Sequence, residues 1–178
     1  IGLYAPVGLP YALDENPTRL AKMTNKALNL LDNTKSDGFF VMIEGSQIDW
    51  CGHANDIACA MAEMDDFAKS IELAKAYIDK NPNTLLVVTA DHSTGGLTIG
   101  AHGQYKWETD VIKGVKATSG KLTKLLLNAS NLQPVWEEHT GIAFTPENKV
   151  KLEQAKKMGV KPLNLAIKDI ISKASFTG

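Results

Sequence analysis

Two short, unbroken apolar runs constrain this chain most: Phe39-Phe40-Val41-Met42-Ile43 and Thr84-Leu85-Leu86-Val87-Val88-Thr89-Ala90. Each has the length of a strand and lacks polar alternation. That pattern belongs to a strand covered on both faces, as in a parallel sheet with helices on either side. Between them, from Asn55 or Asp56 to about Asp79, Ile57, Met61, Met64, Phe67, Ile71, Ala74 and Ile78 recur three or four apart. That spacing predicts one amphipathic helix with a core stripe, the intervening charges forming its solvated face. Asn81-Pro82-Asn83 stops it. Strand, long helix, strand is a βαβ unit with a right-handed crossover. The expected fold is therefore α/β, a partial and mainly parallel sheet flanked by helices.

Each run ends in acid and imidazole groups. Glu44 closes the first, and Asp49 and His53 follow within Gly45–His53; Asp91-His92-Ser93-Thr94-Gly95-Gly96 follows the second. In an open α/β sheet ligands bind beyond the carboxyl ends of the strands. Side by side, the two ends gather Glu44, Asp49, His53, Asp91 and His92 towards one point. Three carboxylates together repel one another and raise each other's pKa. A zinc-class cation relieves that repulsion, with carboxylate oxygen and neutral imidazole as its ordinary ligands. Asp49 and His53, four apart, share a face if the segment is helical, whereas Gly52 suggests a turn. The plainer reading is a pair of Asp–His hydrogen bonds that only order two loops.

Around this core, Ile1–Tyr4 reads as the end of a strand, and Pro6, Gly8 and Pro10 as a loop. Asn16-Pro17-Thr18 opens a helix carrying Leu20, Met23, Ala27, Leu30 and Leu31, closed by Lys35. After Leu97-Thr98-Ile99, a short strand, the chain is irregular to Gly114, with Trp107 as an anchor. Short helices are then expected over about Ser119–Asn128, Leu132–Thr140, Pro146–Met158 and Pro162–Lys173. Thr145-Pro146 is a good helix start. The expected organisation is an α/β core over residues 1–100 and a mostly helical appendage over 101–178. Arg19, the only arginine, is read as lying on a helix far from the two loops.

Hydrophobic residues make up 44% of the 178 and charged residues 22%, enough for a sizeable core. A net charge of −1 argues against nucleic acid or an anionic membrane as the main partner. No apolar run is long enough to span a bilayer. Cys51 and Cys59 are read as free or buried thiols rather than a bridge at a helix start. His102 and His139 are read as solvated, and Ser46 and Ser93 as loop residues.

Taken together, Glu44-Gly-x-x-Ile-Asp49-x-x-x-His53 and Thr89-Ala90-Asp91-His92 resemble the second half of a bacterial alkaline phosphatase. The resemblance extends upstream through Gly2-Leu3-Tyr4 and the Leu20–Leu31 helix, and covers about the first hundred residues. The remainder resembles the variable, crown-like insertion of these enzymes. The resemblance implies phosphate monoester hydrolysis by a two-zinc, one-magnesium site. Asp49 and His53 would serve one zinc, Asp91 and His92 the other, and Glu44 the magnesium. Trp50 stands where some relatives carry lysine or histidine; it lines the substrate pocket or simply packs. The family's nucleophilic serine, phosphate-gripping arginine and last histidine ligand have no match here. The chain is therefore expected to be a fragment inactive by itself, from a periplasmic or secreted enzyme, with a homodimer open as its assembly. Another metallohydrolase or mutase of the same superfamily, or a non-catalytic zinc-binding domain, are the alternatives.

Overall fold

The computed structural model describes residues 1–15, 18–33 and 37–178. The cap expected at Asn16-Pro17 and the helix end expected at Lys35 lie outside the described residues. Among the described residues the regular elements are helices: α1 Arg19–Asp32, α2 Gln47–His53, α3 Ile57–Ile78, α4 Thr109–Gly114, α5 Ser119–Asn128, α6 Leu132–Thr140, α7 Pro146–Met158 and α8 Val160–Ser175.

The starts of the later helices follow from their caps. Thr118 accepts from the Lys121 N–H (3.2 Å), and Thr145 from the Asn148 N–H (3.2 Å) with Pro146 at the first turn. Gly141, at φ 64°, closes α6 in the left-handed conformation glycine adopts readily. These helices bury Trp136, Leu122, Leu126, Leu152, Leu163 and Ile167 completely. At roughly 1.5–3 kcal/mol for each such side chain, they are the main apolar stabilisation of this half. Ile57 and Ala58, at the start of α3, enter the same core. Trp107, expected as an anchor of the irregular stretch, is 42% exposed, whereas Trp136 on α6 is fully buried in the helical core.

The expected sheet does not form. Among the described residues the sole β-pairing is a single antiparallel bridge between Ile99 and Thr177. The runs at 39–43 and 84–90 carry no strand ladder, so there is no βαβ unit. Exposure still alternates along the first run: Phe40 and Met42 are 90% and 75% exposed, while Phe39, Val41 and Ile43 are partly covered. In the second run Leu85 and Val87 project outward. The covered side faces α1 and α3 across a cleft of ≈ 920 Å³ that includes Leu28, Phe67, Ile71 and Ile78. Apolar composition thus produced two segments without a ladder that face the helices. A ladder also needs a neighbouring backbone in register, which composition does not encode.

A second correction concerns α3. Met61 and Met64, expected in the core stripe, are 37% and 45% exposed, whereas Glu63 and Asp66, expected on the solvated face, are buried. The reason lies on α1. Arg19 donates through Nη2 to Glu63 Oε1 (2.8 Å) and Oε2 (2.6 Å), and its Nε lies 3.9 Å from Asp66 Oδ2. The carboxylates are stable inside because the guanidinium is inside with them, 14% exposed. At the other end of the pair, Tyr77 of α3 donates to Asp32 of α1 (2.7 Å).

Candidate functional site

α2 carries the first acid–imidazole pair and is held at both ends. At its start Gln47 is buried; its side chain accepts from Arg19 and donates to the Leu9 carbonyl. Arg19 also donates to the Pro10 carbonyl. Far from being remote, the single arginine therefore ties the 9–12 loop, α3 and α2 together. Near its other end, Cys51 is fully buried and disulfide-bonded to Cys59 of α3, contrary to the expected thiols. Closing so short a loop, eight residues apart, removes unfolded-state entropy equivalent to about 2.5 kcal/mol. The disulfide also withdraws Cys51 from any metal.

Asp49 and His53 are one helical turn apart, and their Oδ2 and Nε2 atoms lie 3.6 Å from each other. In the second loop Asp91 Oδ2 and His92 Nε2 lie 3.4 Å apart. The His92 backbone N–H, 3.0 Å from the Asp91 carboxylate, is the largest influence holding that carboxyl below the ordinary carboxylate range; Asp91's own backbone and the His92 ring follow.

Thr94 joins the two pairs. Its hydroxyl donates to Asp49 Oδ1 (2.6 Å) and stands 3.1 Å from His92 Nδ1. With its one proton committed to the carboxylate, the hydroxyl accepts from His92, so Nδ1 carries the ring proton. The Ser93 carbonyl, 3.1 Å from the same nitrogen, requires the same tautomer. Nε2, on the far side of the ring, is the nitrogen turned toward Asp91. Sequence reasoning misses Thr94 because nothing in its spacing marks it.

The loops meet at a glycine seam. Gly95 has φ 68°, and a Cβ there would lie 2.1 Å from the Gly52 carbonyl oxygen. Asn55, itself at φ 48°, has one end of its amide 2.9 Å from the carbonyl oxygens of both Gly52 and Gly95; two acceptors at that point call for the amide nitrogen, which in that orientation donates to both.

Glu44 stands exposed at the end of the first run. Trp50 is 46% exposed, with its ring packed against Gly8. Among the described residues no three of His, Cys, Asp and Glu are close enough to enclose a metal ion. Asp49–His53 and Asp91–His92 stand instead as two oxygen–nitrogen pairs. Two ligands at 2.0–2.2 Å on a tetrahedral ion are separated by about 3.3 Å. The observed 3.6 and 3.4 Å separations fit that chord, and the oxygen–nitrogen chemistry fits zinc.

Residues 1–160 match the family model for alkaline phosphatase. The chain belongs to the alkaline phosphatase family. It is 40% identical over 184 residues to alkaline phosphatase 3 of Bacillus subtilis, covering all of this chain and 40% of that protein. It is 33% identical over 136 residues to the Escherichia coli alkaline phosphatase, covering 74% of this chain and 26% of that one. The crystal structure of a cold-active alkaline phosphatase from a psychrophilic Shewanella superposes with a TM-score of 0.96 at 43% identity, over all of this chain and 45% of that chain. The chain thus spans less than half the length of these family members. Among the described residues no helix is long and apolar enough to cross a membrane.

Proposed function

We propose that the full-length protein hydrolyses phosphate monoesters and that this segment supplies part of a two-zinc, one-magnesium site. Asp49 and His53 would hold one zinc, Asp91 and His92 the second, and Glu44 the magnesium. The observation that carries the reading is the Thr94 hydroxyl, which fastens one carboxylate–imidazole pair to the other. When bound, paired zinc ions activate an attacking oxygen and stabilise a leaving oxygen in an in-line phosphoryl displacement. The chain's own part is orientation: Thr94 fixes Asp49 and holds the His92 ring at Nδ1, leaving Nε2 as the nitrogen that would face a metal. Trp50, next to Asp49 and half exposed, is assigned to the border of the ester's leaving group. Ser46 and Ser93 are not assigned as nucleophile, so the isolated 178-residue chain is expected to bind metal without turnover. A periplasmic or secreted location is supported by the Cys51–Cys59 disulfide, since such bonds persist in oxidising compartments. Dimerisation of the full-length protein belongs to the same reading.

The test is hydrolysis of p-nitrophenyl phosphate by the full-length protein at alkaline pH. Turnover abolished by a chelator and restored by zinc with magnesium is the expected result. Turnover indifferent to chelation, or none with metals supplied, contradicts the reading.

A further inference from the structure

The helices of residues 109–175 reach back to the segment that ends the metal-motif helix. Lys168, half-buried in the middle of α8, donates through Nζ to the Ala54 carbonyl at 2.7 Å. Ala54 is the C-cap of α2 and directly follows His53. Helix-end carbonyls lack intrahelical partners and carry the negative end of the dipole, so an ammonium is well matched there. Two residues on, Asp56 is 5% exposed and fully engaged. Its Oδ1 accepts from the Cys59 N–H (3.1 Å), capping α3, and its Oδ2 from the Ser119 N–H (2.7 Å), at the first residue of α5. Its own N–H donates to the Cys51 carbonyl (3.0 Å). The segment 54–56 is thus gripped from α8 on one side and α5 on the other. Between the two grips stands Asn55, whose amide, oriented with its nitrogen inward, bridges the Gly52 and Gly95 carbonyls.

The geometry points to the helical half as the buttress of the metal site, with Lys168 as a positioning residue that sets the end of α2, and hence His53, against the 91–96 loop. The inference rests on the proposed role of Asp49 and His53. Lys168 touches neither metal donor. It acts through Ala54, by satisfying a carbonyl that would otherwise draw in water or let the last turn of α2 fray.

The test uses the metal-stripped full-length protein. Zinc affinity is read by competition with a chromophoric chelator for the parental protein, Lys168→Met, Lys168→Arg, His53→Ala and the Lys168→Met/His53→Ala double variant. Methionine keeps the stem and removes the ammonium. A loss of about tenfold, the size expected when support behind a ligand is removed, should appear in Lys168→Met and be largely restored in Lys168→Arg. In the His53→Ala background the same change should cost nothing further, because coupled residues are not additive. An affinity within twofold of parental in Lys168→Met overturns the inference. So does an equal tenfold cost in both backgrounds, which marks a general stability effect. If the parental protein binds no zinc, or His53→Ala leaves binding intact, the metal reading itself falls.

Discussion

Replacing Arg19 with alanine should destabilise the protein by about 3 to 5 kcal/mol, the cost of leaving a buried charge without its partner. The expectation rests on burial rather than on counting ion pairs. Glu63 and Asp66 have side chains 6% and 1% exposed, and Arg19 is 14% exposed, so solvent screening is slight. Two backbone donors remain after the change: the Ala12 N–H on Glu63 (2.8 Å) and the Leu20 N–H on Asp66 (3.2 Å). They place the value nearer the lower bound. The loss also frees Gln47 and the Pro10 carbonyl, so α2 should loosen with α1. Lysine should not rescue, because a point charge cannot reproduce the planar fork that serves Glu63, Gln47 and Pro10 together. By contrast, removing the exposed Lys69–Asp65 pair should cost under about 1 kcal/mol. Urea denaturation of the three variants beside the parental protein checks the ranking; an Arg19→Ala loss no greater than the Lys69 loss would contradict it.

Gly95→Ala should lower zinc affinity by at least about tenfold, through separation of the two loops. A Cβ at Gly95 would stand 2.1 Å from the Gly52 oxygen and 2.8 Å from its carbon, both backbone atoms that cannot swing aside. The loops must part by roughly 1 Å to restore van der Waals contact. That displacement breaks the 2.6 Å Thr94–Asp49 hydrogen bond. Gly96 is the internal control. It has nearly the same φ, 70°, but a methyl group added there would meet nothing within 4 Å. Gly96→Ala should therefore show only backbone strain, about 1–2 kcal/mol of stability, with zinc affinity close to parental. Equal zinc affinity in the two variants would remove the seam from the account.

The sequence announces most plainly what local chemistry decides. α5, α6 and α7 begin and end where the periodicity and the cap residues place them. α4 escapes sequence reasoning because its six residues lie in a stretch that reads as polar and irregular. The acid–imidazole residues are visible from their places after the apolar runs; the structure pairs Asp49 with His53 and Asp91 with His92, with the Thr94 hydroxyl between Asp49 and His92. What cannot be read is everything set by distant partners. The runs at 39–43 and 84–90 have strand composition, yet they carry no ladder. Glu63 and Asp66 look solvated until Arg19, 44 residues from Glu63, is seen beside them. The Cys51–Cys59 bond depends on how α2 turns into α3, which spacing alone does not give.

The central claim is that the loops at 44–53 and 91–96 form one metal centre. Calorimetric titration of the metal-stripped full-length protein with zinc, beside His53→Ala and His92→Ala, tests it most directly. Two tight equivalents in the parental protein are predicted, with one lost in each variant and the other weakened through the Thr94 link. Tight binding that ignores both substitutions would contradict the claim, and the two loops would then be ordered by hydrogen bonds alone.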